Sequence, residues 1–163
     1  MRLRRYRDGD REAVWELHVL ALEHHQRGPW DDDLATIPAT YLDAGGEFLV
    51  GVEDGRIVAM GALRPRDGVR AEIKRMRVHP SVQRTGLGRR MLRRLERRAA
   101  ELGYRTIALD TTTDQRGAQA LYFSEGYAET GRGRAGAFEL ILFEKNLRSP
   151  RRLAAREPGR STP

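Results

Sequence analysis

The sequence predicts an α/β fold: a mixed, mostly antiparallel central sheet of six to seven strands flanked by about four helices. Three observations carry this. Short β-rich runs crowd residues 47 to 78, the apolar spacing changes to three and four between residues 87 and 102, and a further run, helix and strand follow. The 163 residues suit one hydrophobic core, so the expectation is a single domain over 1–147 and a basic, disordered tail over 148–163.

The elements follow in order. "MRLRRYRDGD" supplies a first strand; its basic residues lack the apolar stretch of a secretion signal, which makes cytoplasm the expected location. A helix is expected from residue 11, capped by Asp10, with Ala13, Leu17, Leu20, Ala21 and His24 on one face and an end by Gly28-Pro29. Residues 28 to 46 read as a loop with a short helix near "PATYLD". "EFLVGVEDGRIVAMGALRP" is a hairpin turning on Asp54-Gly55, and "VRAEIKRMRV" adds a third antiparallel strand. Leu87, Met91, Leu95, Ala99 and Leu102 then form one helical stripe that Gly103 closes. "TIALDTT" is a strand, Ala118, Leu121 and Tyr122 share a helix face ending at Gly126, and "AFELILFEKNL" alternates as a last strand or strands.

Composition narrows the chemistry. The chain has no cysteine, which closes disulfides, thiolate metal sites and acyl-cysteine intermediates. His18, His24, His25 and His79 show no ligand spacing, so no metal is expected, and no apolar run is long enough for a membrane helix. The net charge of +7 suggests nucleic acid, but residues 148 to 163 hold five arginines against Glu157, which is +4 of it, and nucleic-acid binding is not the expectation. "DDD" at 31 to 33 reads as a solvated helix start, with attraction of a cationic amine as the other reading.

The segment "QRTGLG" joins the strand ending at Val78 to the arginine-rich helix. Glycines at 86 and 88 would let phosphate oxygens reach backbone N–H groups at a helix start, where the dipole favours negative charge. It lacks the lysine and hydroxyl of a P-loop and the third glycine of a dinucleotide fingerprint.

Gln83-Arg84-Thr85-Gly86-Leu87-Gly88 resembles Q/R-x-x-G-x-G/A, the pyrophosphate-binding signature of the GNAT superfamily of acetyl-CoA-dependent N-acetyltransferases. "AEIKRMRVHP" is similar to the family's fourth strand, and "GAQALYFSEGY" to its A-x-x-L-Y-x-x-x-G-F/Y element. The resemblance covers residues 47 to 128 and the first helix, and implies the GNAT-like acyl-CoA N-acyltransferase fold with acetyl-CoA as cosubstrate and no metal. It also implies direct acetyl transfer, in a ternary complex, to a primary amine on a small molecule or peptide. A homodimer is in keeping with it. A non-catalytic acyl-CoA sensor on the same fold is the alternative.

Residue by residue, the resemblance implies that the fourth and fifth strands splay and that the main chain of Met76, Arg77 and Val78 holds pantetheine, with Met76 N–H toward the thioester carbonyl. Backbone amides of Gln83, Arg84, Thr85, Gly86, Leu87, Gly88 and Arg89 would hold pyrophosphate, with the side chains of Arg84, Arg89 and Arg90 adding charge. Arg93, Arg94, Arg97 and Arg98 instead solvate an outer helix face. Tyr122 corresponds to the general acid for the departing thiolate, a phenol staying protonated at neutral pH; core packing beside Ala118 and Leu121 is its other reading. Glu72 corresponds to the base used by some members, or to a salt-bridge partner within the sheet. Gln115 stands where the family often has an asparagine that helps hold pantetheine. Trp30 and Tyr41 are candidates for the acceptor entrance.

Overall fold

The computed structural model describes residues 1–22 and 29–147. The strands are β1 (Arg2–Arg5), β2 (Glu47–Glu53), β3 (Arg56–Pro65), β4 (Arg70–Val78), β5 (Thr106–Thr112), β6 (Ala128–Ala135) and β7 (Phe138–Asn146). The helices are α1 (Arg11–Leu20), the single turn α2 (Asp32–Ala35), α3 (Leu87–Glu101) and α4 (Arg116–Ser124), with a wide helical turn at Pro38–Leu42. They build one sheet in the order β1-β2-β3-β4-β5-β7-β6, in which β4–β5 alone is parallel. The mixed sheet of the sequence reading is thus present with seven strands. Among the described residues no helix is long and apolar enough to cross a membrane.

Alternation along β2 and β3 divides the core into two layers. Phe48, Val50, Met60 and Ala62 join Val14 and Leu17 of α1 in one; Leu49, Ala59 and Leu63 join Met91, Leu92, Leu95 and Ala99 of α3 in the other. Between β2 and β3, Asp54 (φ 48°) and Gly55 (φ 79°) both take the left-handed conformation that a two-residue hairpin demands. On β7 it is Ile141 and Phe143 that are buried, while Phe138 is exposed.

The first helix departs from the sequence reading. α1 ends at Leu20, and the expected continuation through His24 and His25 lies outside the described residues. Its buried face is Val14, Leu17 and His18, whereas Leu20 is 54% exposed. A histidine replaces the apolar residue expected on the inner face, and it can do so because its ring meets a buried carboxylate, that of Asp31.

One irregularity shapes everything that follows. The β3–β4 register runs Met60↔Arg77 and then Ala62↔Lys74, so that Arg75 and Met76 bulge opposite Gly61. Arg75 has φ 57°, which costs a residue with a side chain of the order of 1 kcal/mol. Gly61 is needed for contact: a Cβ there would lie 2.8 Å from Leu95 Cδ1, 2.9 Å from Met76 Sδ and 3.1 Å from Met91 Cγ.

Candidate active site

β4 and β5 pair only from Arg70↔Thr106 to Glu72↔Ala108. Beyond that point β5 continues against β7 as far as Thr112, and β4 continues against β3 through the bulge to Val78. The two strands therefore fork, leaving facing backbone edges that an extended ligand can join as an added strand. Met76, Arg77 and Val78 lie on the β4 arm. The carbonyl of Met76 already accepts from Arg77 Nη1 (2.8 Å), and that of Val78 from Gln83 Nε2 (3.1 Å).

At the end of the β4 arm a turn, Pro80–Val82, leads into the glycine segment and α3. Gly86 is the N-cap of α3 with φ 87° and open space where a Cβ would stand; its conformation, not crowding, calls for glycine. At Gly88 a Cβ would only touch Leu121 Cδ2 (3.5 Å) and Val78 Cγ2 (3.7 Å). Among the described residues, the successive amides of Arg84, Thr85, Gly86, Leu87, Gly88 and Arg89 donate to no protein acceptor, whereas that of Gln83 donates to Pro80 O at 3.4 Å. Thr85 Oγ1 braces the loop on Val82 O (2.6 Å). This is an anion cradle at a helix start.

The arginines divide. Arg84 and Arg90 are exposed. Arg89 was expected to add charge at phosphate, but its guanidinium is taken by Glu125 (2.7 Å) and Ser124 (3.2 Å), which leaves only its amide to the cradle. Arg93 shares Glu125 (2.7 Å), and Arg98 binds Glu47 (2.9 Å), so these two are ion-paired and not merely solvated.

α4 brings Tyr122 to the fork. The residue is 5% exposed, packed on Tyr127 and Phe143 with ring centroids 5.8 Å away in each case. Its hydroxyl makes no hydrogen bond among the described residues. Burial pushes its pKa up to about 12, against the pull of the Arg77 charge. Gln115 caps α4 but turns back onto β5, where its Oε1 accepts from Thr111 Oγ1 (3.0 Å).

Glu72 sits at the crotch of the fork, 7% exposed, with Arg64 (3.0 Å), Arg66 (3.2 Å) and Lys74 (3.3 Å) on its carboxylate. Burial alone would raise its pKa, but Lys74 and Arg64 outweigh that and hold it below the ordinary carboxylate range. Of the two sequence readings, this geometry is that of the ion pair. Such a carboxylate is a weak base.

Behind the β4 arm lies a buried polar cluster that the sequence reading missed. The sequence offers "DDD" at 31 to 33 as a solvated helix start or as an attractor of a cationic amine; in the structure the protein's own Arg75 binds Asp31 (3.2 Å), Asp33 and the Trp30 carbonyl, while Tyr41 donates to Asp33. His18 Nε2 meets Asp31 Oδ1 at 3.0 Å. Burial, then the charges of Arg77 and Arg75, push the His18 pKa down to about 4, so the ring is neutral at physiological pH. The available signal was His18 beside Leu17 on an apolar stripe, a position that demands a polar partner. Tyr41 is fully buried against Phe48, so it is core and not an entrance; Trp30 is 64% exposed. Among the described residues no group of three or more His, Asp or Glu could hold a metal ion.

The model of the acetyltransferase (GNAT) family matches residues 11–127. The chain belongs to this family. GNAT relatives include the IAA acetyltransferase of Azospirillum brasilense, 38% identical over 103 residues that cover 61% of this chain and 67% of that protein. The chain spans about half the length of other curated relatives that it matches. Among solved structures, a GNAT acetyltransferase from Staphylococcus aureus Mu50 superposes with a TM-score of 0.82 at 20% identity, covering 90% of this chain and 99% of that one. The yncA protein of Salmonella typhimurium, solved with its cofactor acetyl-CoA, has a TM-score of 0.74 at 22% identity, covering 95% and 98%. These superpositions establish the GNAT fold.

Proposed function

We propose that this GNAT chain is an N-acetyltransferase that moves the acetyl group of acetyl-CoA to a primary amine by direct transfer in a ternary complex. The observation that carries the reading is the run of six amides from Arg84 to Arg89, unpaired among the described residues, at the mouth of a forked sheet. The cosubstrate would supply an activated acetyl thioester. Residues 84 to 89 would bind its diphosphate through main-chain N–H groups, the exposed side chains of Arg84 and Arg90 adding charge. Met76, Arg77 and Val78 on the β4 arm would align the extended pantetheine.

Tyr122 would hold its proton at the hydroxyl until the sulfur needs it: its raised pKa keeps the phenol protonated, and its O–H makes no hydrogen bond among the described residues. Glu72 would serve as the clamp of the fork, tying β4 to Arg64 of β3, and the amine proton would pass to water. Gln115 would act on the position of α4 through Thr111. With no cysteine in the chain, a covalent thioester on the protein has no residue to form on.

Two measurements test the reading. Calorimetry should show acetyl-CoA binding, and a thiol-release screen across amino acids, polyamines, aminoglycosides and peptide N-termini should find at least one acceptor. Binding with no release from any amine would favour the acyl-CoA sensor; no binding would remove both.

A further inference from the structure

Three cations project from the bulged arm of β4, and they differ in one respect. Lys74 reaches Glu72 (3.3 Å) and Asp110 (3.4 Å), and Arg75 reaches Asp31 (3.2 Å) and Asp33. Arg77 reaches no carboxylate among the described residues. Its Nη1 donates to Met76 O, its Nε is sealed from solvent without an acceptor, and no hydrogen bond is made by Nη2 among the described residues. Nε–H and one Nη2–H point along the same edge of the planar guanidinium, and that edge matches the two oxygens of a carboxylate. Desolvating a cation without pairing it is costly, and the Arg77 pKa falls to about 10, through burial first and then the neighbouring Arg75. A site that bears this cost in the free protein recovers it when an anion arrives.

We infer that the unpaired Nε/Nη2 edge of Arg77 binds the carboxylate of the acceptor, which enters at Nη2 and displaces the cover over the sealed Nε, so that the acceptor class is an amine carrying a nearby carboxylate, an amino acid or amino-acid derivative. This rests on the N-acetyltransferase reading. Arg77 lies on the β4 arm beyond the last β4–β5 pair, on the strand that the proposed function gives to pantetheine, so a carboxylate held there belongs to the same site as the transfer. Two competing anions are disfavoured. The diphosphate has its own amides at 84 to 89, and a single acetyl oxygen would use one donor of an edge that offers two.

The test has a binding arm and a turnover arm, both on the full chain saturated with coenzyme A or acetyl-CoA. In the first, the ¹H–¹⁵N signal of Arg77 Nε, assigned by its absence in Arg77→Lys, is followed while N-acetylglycine, N-acetylalanine and N-acetylphenylalanine, and then their amides, are titrated. A saturable shift with the acids and none with the amides is expected. No shift with any carboxylate overturns the inference, whether or not turnover is found. In the second, kcat/KM is compared for each amino acid and its amide. The acid is preferred by about tenfold or more, the worth of a charge-assisted pair, and Arg77→Gln brings that ratio to about one through KM. Equal loss of kcat on acids and amides would instead place the guanidinium on the acetyl oxygen and overturn the assignment. Absence of thiol release from every amine, with the Nε shift intact, refutes the transferase reading alone.

Discussion

Glu72 and Ala108 are the last residues at which β4 and β5 pair, and the carboxylate of Glu72 is gripped at that point by Arg64, Arg66 and Lys74. The fork therefore opens from a charged hinge whose cations come from β3, its adjoining loop and β4. Removing the charge should loosen the hinge without removing a proton acceptor. Glu72→Gln is expected to lose roughly 1–3 kcal/mol of stability, the cost of unpairing a buried charged group, while the acidic limb of its pH–rate profile stays where it is in the parent. Denaturant melts and kcat/KM from pH 5 to 9 check both; a vanished acidic limb would restore Glu72 as the base.

Tyr122→Phe separates chemistry from packing. Among the described residues the hydroxyl has no hydrogen bond to lose, so stability should change by no more than about 0.5 kcal/mol. The turnover number should nonetheless fall by about 100-fold or more, the usual worth of a positioned acid, with acetyl-CoA affinity close to that of the parent. With its pKa near 12, the parent tyrosine should impose no alkaline limb below about pH 10.

The two signature glycines should respond differently. Gly86→Ala forces a side chain into φ 87° and should cost about 1–2 kcal/mol, with acetyl-CoA binding weakened by about tenfold as the amides turn away. Gly88→Ala meets only ordinary contacts and should bind nearly as the parent does. Paired calorimetry and thermal melts decide; equal losses would mean that the cradle is shaped by Gly88 as well.

Acid should weaken the fold through His18. Its folded pKa of about 4 lies below the ordinary 6.5, so between those values the unfolded chain binds more protons. The stability contributed by the neutral ring is thus complete above pH 6.5 and lost as the pH falls toward 4. The melting temperature should drop across this window by about 3 °C or more, and His18→Gln, which cannot titrate, should flatten the slope. An unchanged slope would exclude His18 as its source.

Much of the architecture could be read from spacing because local rules decide it. Asp54-Gly55 sets its own turn, Leu87 to Leu102 repeats at helical intervals, and the glycine segment and Tyr122 carry motif and context together. What escaped depends on meetings across the fold. His18 is buried because Asp31, thirteen residues away, lies beside it, and Asp31 and Asp33 are ion-paired because a bulge aims Arg75 at them. Likewise, Arg89 and Arg93 lie on α3 where only the packing of α4 could show that Glu125 would claim them.

Gly61 ties the two halves of the site into one mechanical part. Its missing side chain lets Met76 from the bulge and Met91 and Leu95 from α3 close over the same spot. A single methyl group introduced there would have to push strand and helix apart together, so drift at this position would detune grip on the nucleotide and aim at the acetyl carbon in one stroke, with no change to any residue that touches either.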